Sequence, residues 1–334
     1  MVLILILWRK PSNSGTDDDE ESYENSYLNF HQMSWGTKPS AFLPRQNFSF
    51  TIIDNEFCAN FVQQKYLIVV YSTPDHFQNR LLIRQTWGSL HLQMAFNFSL
   101  VFALGISRNH NVNEQIMAET DEYDDILQQA FIDSPRNITY KSLMWLKFAS
   151  TFCNNTDFVI KMDDDIFLNI FFLDQMLANV SATALNDGNN GQVHTIFCVE
   201  WKDAIVERNP MDRWYLSYQD HENEKFDRFC SGAAYIVTRS LILPMYRKTF
   251  TEQLLFIEDA FTTGQLLREL DVEYVDISPY FGWSPFDDHS IDMLRSGQLV
   301  LQHFTYNSKF YRQHWLTLCA EKSATFSDKF IPCS

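Results

Sequence analysis

"FVIKMDDDIFLN", residues 158–169, runs an apolar stretch straight into three consecutive carboxylates, Asp163, Asp164 and Asp165, and then returns at once to apolar residues. Adjacent like charges repel, so a fold that keeps them together at the edge of its core has a cation to put there. The apolar run reads as a strand buried in a sheet. In extended backbone alternate side chains share a face, so Asp163 and Asp165 face one ligand while Asp164 faces away. Carboxylate oxygens suit Mg²⁺ or Mn²⁺, ions that bridge to a substrate diphosphate. The bland alternative is a solvated strand end.

Working outward, the same alternation of strand and helix recurs. Residues 66–72, "YLIVVYS", form a short β-rich run, followed by "DHFQNRLLIRQTWG", helical as far as Gly88. Residues 98–105, "FSLVFALG", make a second strand closed by a glycine, and 113–125 are acidic and helix-like. Residues 137–153 carry apolar side chains at helical spacing, including Leu143, Leu146, Phe148 and Phe152. Strands alternating with helices imply an α/β layer architecture whose ligands sit beyond the carboxyl ends of the strands. Asp163, Asp164 and Asp165 are expected at that edge.

The chain has 334 residues and 46% hydrophobic content, enough for a sizeable core. A formal charge of -16 excludes a nucleic-acid surface, which needs clustered Lys and Arg. Residues 1–8, "MVLILILW", ended by Arg9 and Lys10, read as the end of a membrane anchor whose beginning is missing. We therefore expect an anchor remnant at 1–10, a stem or linker at 11–60 and a catalytic domain at 61–334. The polar, acidic stem repeats the triplet at Asp17, Asp18 and Asp19, but nothing apolar precedes it, so those carboxylates are solvated. Six scattered cysteines with no CxxC pair fit a few disulfides in a secretory compartment, with buried free thiols as the alternative. Sequons at Asn47, Asn97, Asn137, Asn154 and Asn179 tilt the balance towards the lumen.

There is no GxxxxGK[ST] and no GxGxxG, so an acidic protein that handles a nucleotide needs a metal bridge. Glu258 and Asp259 follow apolar residues and begin a helix that continues through Leu266 and Leu270. Capping explains carboxylates in a first turn, whereas catalysis makes one of them a general base. If a sugar leaves a diphosphate in one inverting step, a metal and one proton-accepting carboxylate suffice. Ser231 and Gly232 break the chain before a strand, either in an ordinary turn or where backbone must approach a ligand. His303, which follows the apolar run "LVL" and Gln302, is a candidate further metal ligand, with packing as its alternative.

The ordered blocks "RLLIRQTWG" (80–88), "VFALG" (101–105), "FIDSPRNITYKS" (131–142), "VIKMDDDIFLN" (159–169), "RWYLS" (213–217), "FCSGAAYIV" (229–237), "IEDAFTTG" (257–264) and "VLQH" (300–303) resemble the β-1,3-galactosyltransferase family. That family includes β-1,3-N-acetylglucosaminyl- and N-acetylgalactosaminyltransferases. The resemblance implies a GT-A fold, a Rossmann-like mixed sheet flanked by helices. It also implies a Golgi type II membrane enzyme with its catalytic domain in the lumen. The enzyme would use Mn²⁺, with Mg²⁺ as the alternative, and a UDP-sugar donor, and would transfer galactose, or GlcNAc or GalNAc, to a glycan acceptor in β-1,3 linkage. The family's DxD motif falls on Asp163, Asp164 and Asp165, with Asp165 as direct metal ligand and Asp163 nearer the ribose. Its acidic pair falls on Glu258 and Asp259, with Asp259 as base, and its late histidine on His303. Arg80 and Arg84 fall in the block near the donor, where guanidinium forks would pair with diphosphate. The chain departs from the family pattern at Ala233 and Ala234 after Ser231-Gly232, at Ala260-Phe261 after the acidic pair, and in lacking a proline before Cys230.

Two rival functions use the same residues. A glycoside hydrolase would turn two of these carboxylates on a glycosidic bond. A binding protein of the same fold would hold UDP or glycan without turnover.

Overall fold

A computed structural model describes residues 41–58, 64–186, 194–284, 288–304 and 308–323. The expected anchor, the stem as far as residue 40 and Cys333 lie outside these residues. Strands β1 (Phe42–Leu43) and β2 (Phe50–Ile52) precede β3 (Gln64–Tyr71), helices α1 (Phe77–Arg84) and α2 (Leu90–Phe96), and β4 (Phe98–Ile106). Next come α3 (His110–Tyr123), β5 (Ile126–Ile132), α4 (Thr139–Phe152), β6 (Thr156–Asp163), β7 (Ile166–Leu168) and α5 (Ile170–Asn186). The remainder is β8 (His194–Trp201), β9 (Phe229–Thr238), α6 (Arg239–Lys248), β10 (Leu254–Leu255), β11 (Val272–Asp276), β12 (Phe281–Gly282), α7 (Asp288–Arg295), β13 (Leu301–His303) and α8 (Ser308–Ser323).

The expected α/β class holds, with a large mixed sheet flanked by helices. Its eight strands run in the order β11-β8-β9-β6-β3-β4-β5-β2. At its centre β3 pairs in parallel with both β4 and β6. Leu67, Ile68, Val69 and Val70 are all 0% exposed, because a central parallel strand is covered on both faces and must be apolar without interruption. Each such side chain contributes about 1.5–3 kcal/mol on burial.

One exception to parallel order builds the site. β9 lies antiparallel between β6 and β8, with Lys161 opposite Tyr235 and Met162 opposite Ala234. The beginning of β9, Cys230 to Gly232, therefore lies at the carboxyl end of β6, where the aspartates emerge. A disulfide between Cys198 and Cys230 ties β8 to β9 there, and a second joins Cys58 to Cys153. Cys319 is a buried thiol.

A three-stranded sheet, β12-β13-β7, completes the frame. β13 runs antiparallel to β7 with His303 opposite Ile166, which sets the histidine beside Asp165. Gly105 does not end its strand as the sequence suggests but lies inside β4, where a Cβ would stand 2.7 Å from both the Phe131 ring and its carbonyl oxygen. Close approach of backbone, not a turn, is what this glycine permits.

Residues 205–224 belong to a separate compact unit. Arg208 organises it, donating to the carbonyls of Leu216 (2.9 Å), His221 (2.8 Å) and Asn223 (2.6 Å) while its guanidinium lies 4.0 Å from the Tyr218 ring centroid.

Candidate active site

Extended backbone ends at Asp163, and Asp164 and Asp165 form the turn between β6 and β7. The turn is pinned from two sides: the Asp164 N–H donates to the Tyr71 carbonyl (3.0 Å) and the Phe304 N–H to the Asp165 carbonyl (2.8 Å). The three carboxylates therefore part company, and each meets different partners.

Asp165 meets His303, whose Nε2 lies 3.2 Å from Oδ2. Its other oxygen, Oδ1, is buried with no hydrogen-bond partner. The Trp283 backbone holds the imidazole by a further hydrogen bond. Burial pulls the His303 pKa down, but the hydrogen bond and charge of Asp165, with Asp163 behind it, raise it overall. A carboxylate with Oδ1 orphaned and Oδ2 against an imidazole already oriented by backbone offers a donor set a divalent ion would take. Among the described residues no three His, Cys, Asp or Glu side chains form a ready metal cage. A sparse set nevertheless fits Mg²⁺ or Mn²⁺, which keep waters and substrate phosphates as their other ligands.

Asp164 points the other way. Only 8% exposed, it accepts from Ser72 Oγ at 2.6 Å, His76 Nδ1 at 2.9 Å and Asn79 Nδ2 at 3.3 Å. In this structure the carboxylate expected to contact a cofactor fastens the loop after β3, and its hydrogen bond raises the His76 pKa.

Asp163 receives the ammonium of Lys161 at 2.7 Å. Burial, and then the neighbouring Asp165, push the Asp163 carboxyl up to about 6 against the pull of Lys161, although 38% of the side chain stays open to solvent.

The acidic pair is placed by β10 and an irregular helical segment. Residues 260–264 form a wide π-type turn that tightens into 3-10 geometry at 265–267, so the expected regular helix through Leu270 is replaced by a wound, shorter one. Glu258 is 5% exposed, and its Oε1 accepts from Ser142 Oγ (2.5 Å) and Thr262 Oγ1 (3.1 Å), with the Tyr71 and Tyr235 hydroxyls at 3.4 and 3.5 Å. This cluster of hydroxyls fixes the orientation of the Glu258 side chain. Asp259 instead has Oδ1 capped by the Ala260 N–H (2.9 Å). Burial, and next the charge of Glu258, push its carboxyl up to about 7. A carboxylate poised there is suited to accept a proton near neutrality.

Gly232 closes the gap between the two acidic groups. A Cβ at this residue would stand 3.3 Å from the Asp259 Cβ and 3.6 Å from both Asp259 Oδ2 and Glu258 Oε2. Ser231 is 7% exposed and its Oγ accepts from the Ala233 N–H at 3.4 Å. The structure thus brings Asp163, Asp165, His303, Gly232, Glu258 and Asp259 to one end of the sheet.

Arg80 and Arg84 do not join them. Arg80 is 0% exposed and forks onto Glu119 through Nε and Nη2, both at 2.7 Å, while also donating to Ser72 and to the Thr73 and Pro74 carbonyls. Arg84 pairs with Glu119 and Asp125, each at 2.7 Å. In this structure the guanidinium groups expected to meet a diphosphate are engaged instead by these carboxylates, which lie on α3 and just after it. At the opposite end of β3 a cavity of about 420 Å³, lined by Lys65, Phe96, Asn97, Phe171 and Asp174, contains none of the candidate residues.

Lys161 was not singled out in the sequence, yet it lies at the middle of the site. Its signal was present: a lone lysine inside the apolar strand 158–162 must find carboxylates or cost several kcal/mol on burial.

A family model described as Galactosyltransferase matches residues 78–278, more than half of the chain. The chain is 28% identical to the lactosylceramide 1,3-N-acetyl-beta-D-glucosaminyltransferase of Mus musculus over 78% of its own length and 69% of the relative's. It is also 28% identical to the beta-1,3-galactosyltransferase 2 of Mus musculus, over 63% of its own length and about half (48%) of the relative's. Among solved structures, the WbbM bifunctional glycosyltransferase aligns with 80% of this chain and 52% of its own at a TM-score of 0.38 and 9% identity, a likeness too slight to argue from.

Proposed function

The chain belongs to the galactosyltransferase family, and from that premise we propose that it transfers a hexose from a UDP-sugar to a glycan hydroxyl in one inverting step. The hexose is galactose in the first instance, with GlcNAc and GalNAc as alternatives, and the linkage is β-1,3. The observation that carries this reading is Asp165, whose buried Oδ1 lacks a hydrogen-bond partner beside a pre-oriented His303.

Asp165 and His303 would hold Mn²⁺, or Mg²⁺ in its place; when bound, such an ion supplies Lewis-acid stabilisation of a leaving diphosphate. Asp259 accepts the proton of the attacking acceptor hydroxyl, and its elevated pKa matches the proton-transfer task near neutral pH. Glu258, oriented by its hydroxyl neighbours, stands beside Asp259 and, after burial, contributes to raising that carboxyl's pKa and so strengthens it as a base. Asp163, paired with Lys161, borders the donor side. No covalent intermediate on the protein is needed for inversion.

The working compartment we propose is the Golgi lumen, with an N-terminal anchor and a type II orientation. The disulfides Cys58–Cys153 and Cys198–Cys230 support an oxidising compartment. Among the described residues no helix is long and apolar enough to cross a membrane.

The test is UDP release by the purified lumenal domain with Mn²⁺, screened against UDP-Gal, UDP-GlcNAc and UDP-GalNAc with glycan acceptors. Acceptor-dependent release from one donor, abolished by EDTA, supports the reading. Glycosidic activity untouched by EDTA would favour a hydrolase, and UDP binding without release would favour a non-catalytic protein.

A further inference from the structure

We infer that Lys161 is a positioning residue, a buried clamp that joins the aspartate end of β6 to the glycine segment on which Asp259 rests. This inference rests on Asp259 being the base.

The geometry is closed on every side. Lys161 is 1% exposed, and its Nζ donates to Asp163 Oδ1 at 2.7 Å and to the Gly232 carbonyl. The rings of Tyr71 and Tyr235 lie 4.2 and 5.9 Å from the ammonium, so its remaining surroundings are aromatic faces that tolerate a cation. One ammonium thus links the strand carrying the metal-side carboxylates to the first residues of β9. Gly232, held by that link, is in turn packed against Asp259, since even one added carbon there would reach 3.3 Å from its Cβ. Tyr71, against which Lys161 packs, shares Ser142 and Glu258 in a single hydrogen-bond network.

Charge makes the same point independently. Lys161 sits in the combined field of Asp163, Glu258 and Asp259, groups that come from two distant stretches of sequence. A buried ammonium is retained only where carboxylates repay its desolvation, and three of them at once is more than one ion pair requires. Taking the ammonium away deprives Asp163 and the Gly232 carbonyl of their shared donor, and the segment has reason to move.

The experiment compares wild type, Lys161→Met, Lys161→Arg and Gly232→Ala. Amide hydrogen exchange of the metal-free protein reads the clamp without any turnover. In Lys161→Met, amides of residues 229–234 and 258–264 should exchange about tenfold faster while β3 and β4 keep their protection. In turnover at saturating donor, Lys161→Met should lose about a hundredfold in kcat while its affinity for UDP with Mn²⁺ changes by less than about tenfold, and Lys161→Arg should recover part of that loss. Gly232→Ala leaves the ammonium in place but crowds Asp259, so it should also lose kcat more than UDP affinity, which keeps the inference testable should Lys161→Met fail to fold. Unchanged exchange at 229–234, or a kcat in Gly232→Ala within about threefold of wild type, overturns it. Absence of Mn²⁺-dependent UDP release in wild type would instead remove the functional reading, with the exchange result still deciding the clamp.

Discussion

Replacing Asp259 with Asn removes the proton acceptor while leaving its frame in place. The Asn Oδ1 can still accept from the Ala260 N–H, and the amide occupies the volume of the carboxylate beside Gly232. A general base contributes about a hundred- to ten-thousand-fold. That factor corresponds to about 2.7–5.5 kcal/mol of barrier, so kcat should fall by that much. Donor affinity should hold, because Asp165 and His303 are untouched. Stability should not fall either, since the substitution removes a buried charge from beside Glu258, a like charge that raises its pKa. The pH profile sharpens the test. With the carboxyl at about 7, roughly half of the molecules carry the base at pH 7 and about a tenth at pH 6, so wild-type kcat should fall about fivefold over that unit. The direction follows because only the deprotonated form accepts a proton. The residual rate of Asp259→Asn should be flat over the same range. Steady-state kinetics from pH 5.5 to 8.5, roughly spanning that ionisation, with calorimetric UDP titration, measure both. A variant with kcat within tenfold of wild type, or one that retains the same inflection, would place the base on another residue.

The remaining predictions are more local. Arg80→Met should destabilise the domain by about 3–5 kcal/mol in chemical denaturation, because Glu119 keeps a buried charge that Arg84 only partly answers. An unchanged midpoint would mean that this pair is not structural. Asp164→Ala should weaken the loop after β3, with a loss of about 1–3 kcal/mol, since Ser72, His76 and Asn79 lose their shared acceptor. Full stability with lost Mn²⁺ binding would instead return Asp164 to the cofactor. Expressed in a secretory host, the exposed sequons Asn47 and Asn154 should carry glycans removable by endoglycosidase, whereas Asn137, whose Nδ2 donates to the Ile132 carbonyl at 2.8 Å, should not. Loss of the mobility shift only in Asn137→Gln would reverse that assignment.

The centre of the fold and half of the site could be read from residue order because the signals are local. A strand that must be buried on both faces is apolar throughout, as residues 67–70 are, and charges after such a run can only surface at the sheet's edge. His303 was singled out for a similar reason, as an ionisable residue at the end of β13, just after the apolar residues 299–301. What residue order did not show were partners remote in sequence. Arg80 and Arg84, one helical turn apart, look alike whether they face a phosphate or a carboxylate, and Glu119 lies 39 residues from Arg80. Asp164 was grouped with its neighbours by adjacency, although the turn after Asp163 sends it inward. Lys161 escaped notice because an interrupted apolar run does not reveal that β9, some 70 residues later, inserts antiparallel beside it. The wide turn at 260–264 was likewise hidden, since the contact it makes is with a remote strand: the Cys230 N–H donates to Thr263 Oγ1 at 2.8 Å.

The central claim is that the turn after β6 supplies the carboxylate for a metal-bridged nucleotide. Titration of UDP into wild type and Asp165→Ala, each with Mn²⁺ and again in chelator, tests it most directly. Heat of binding should appear only for wild type with Mn²⁺; equal affinity in all four titrations would contradict the account.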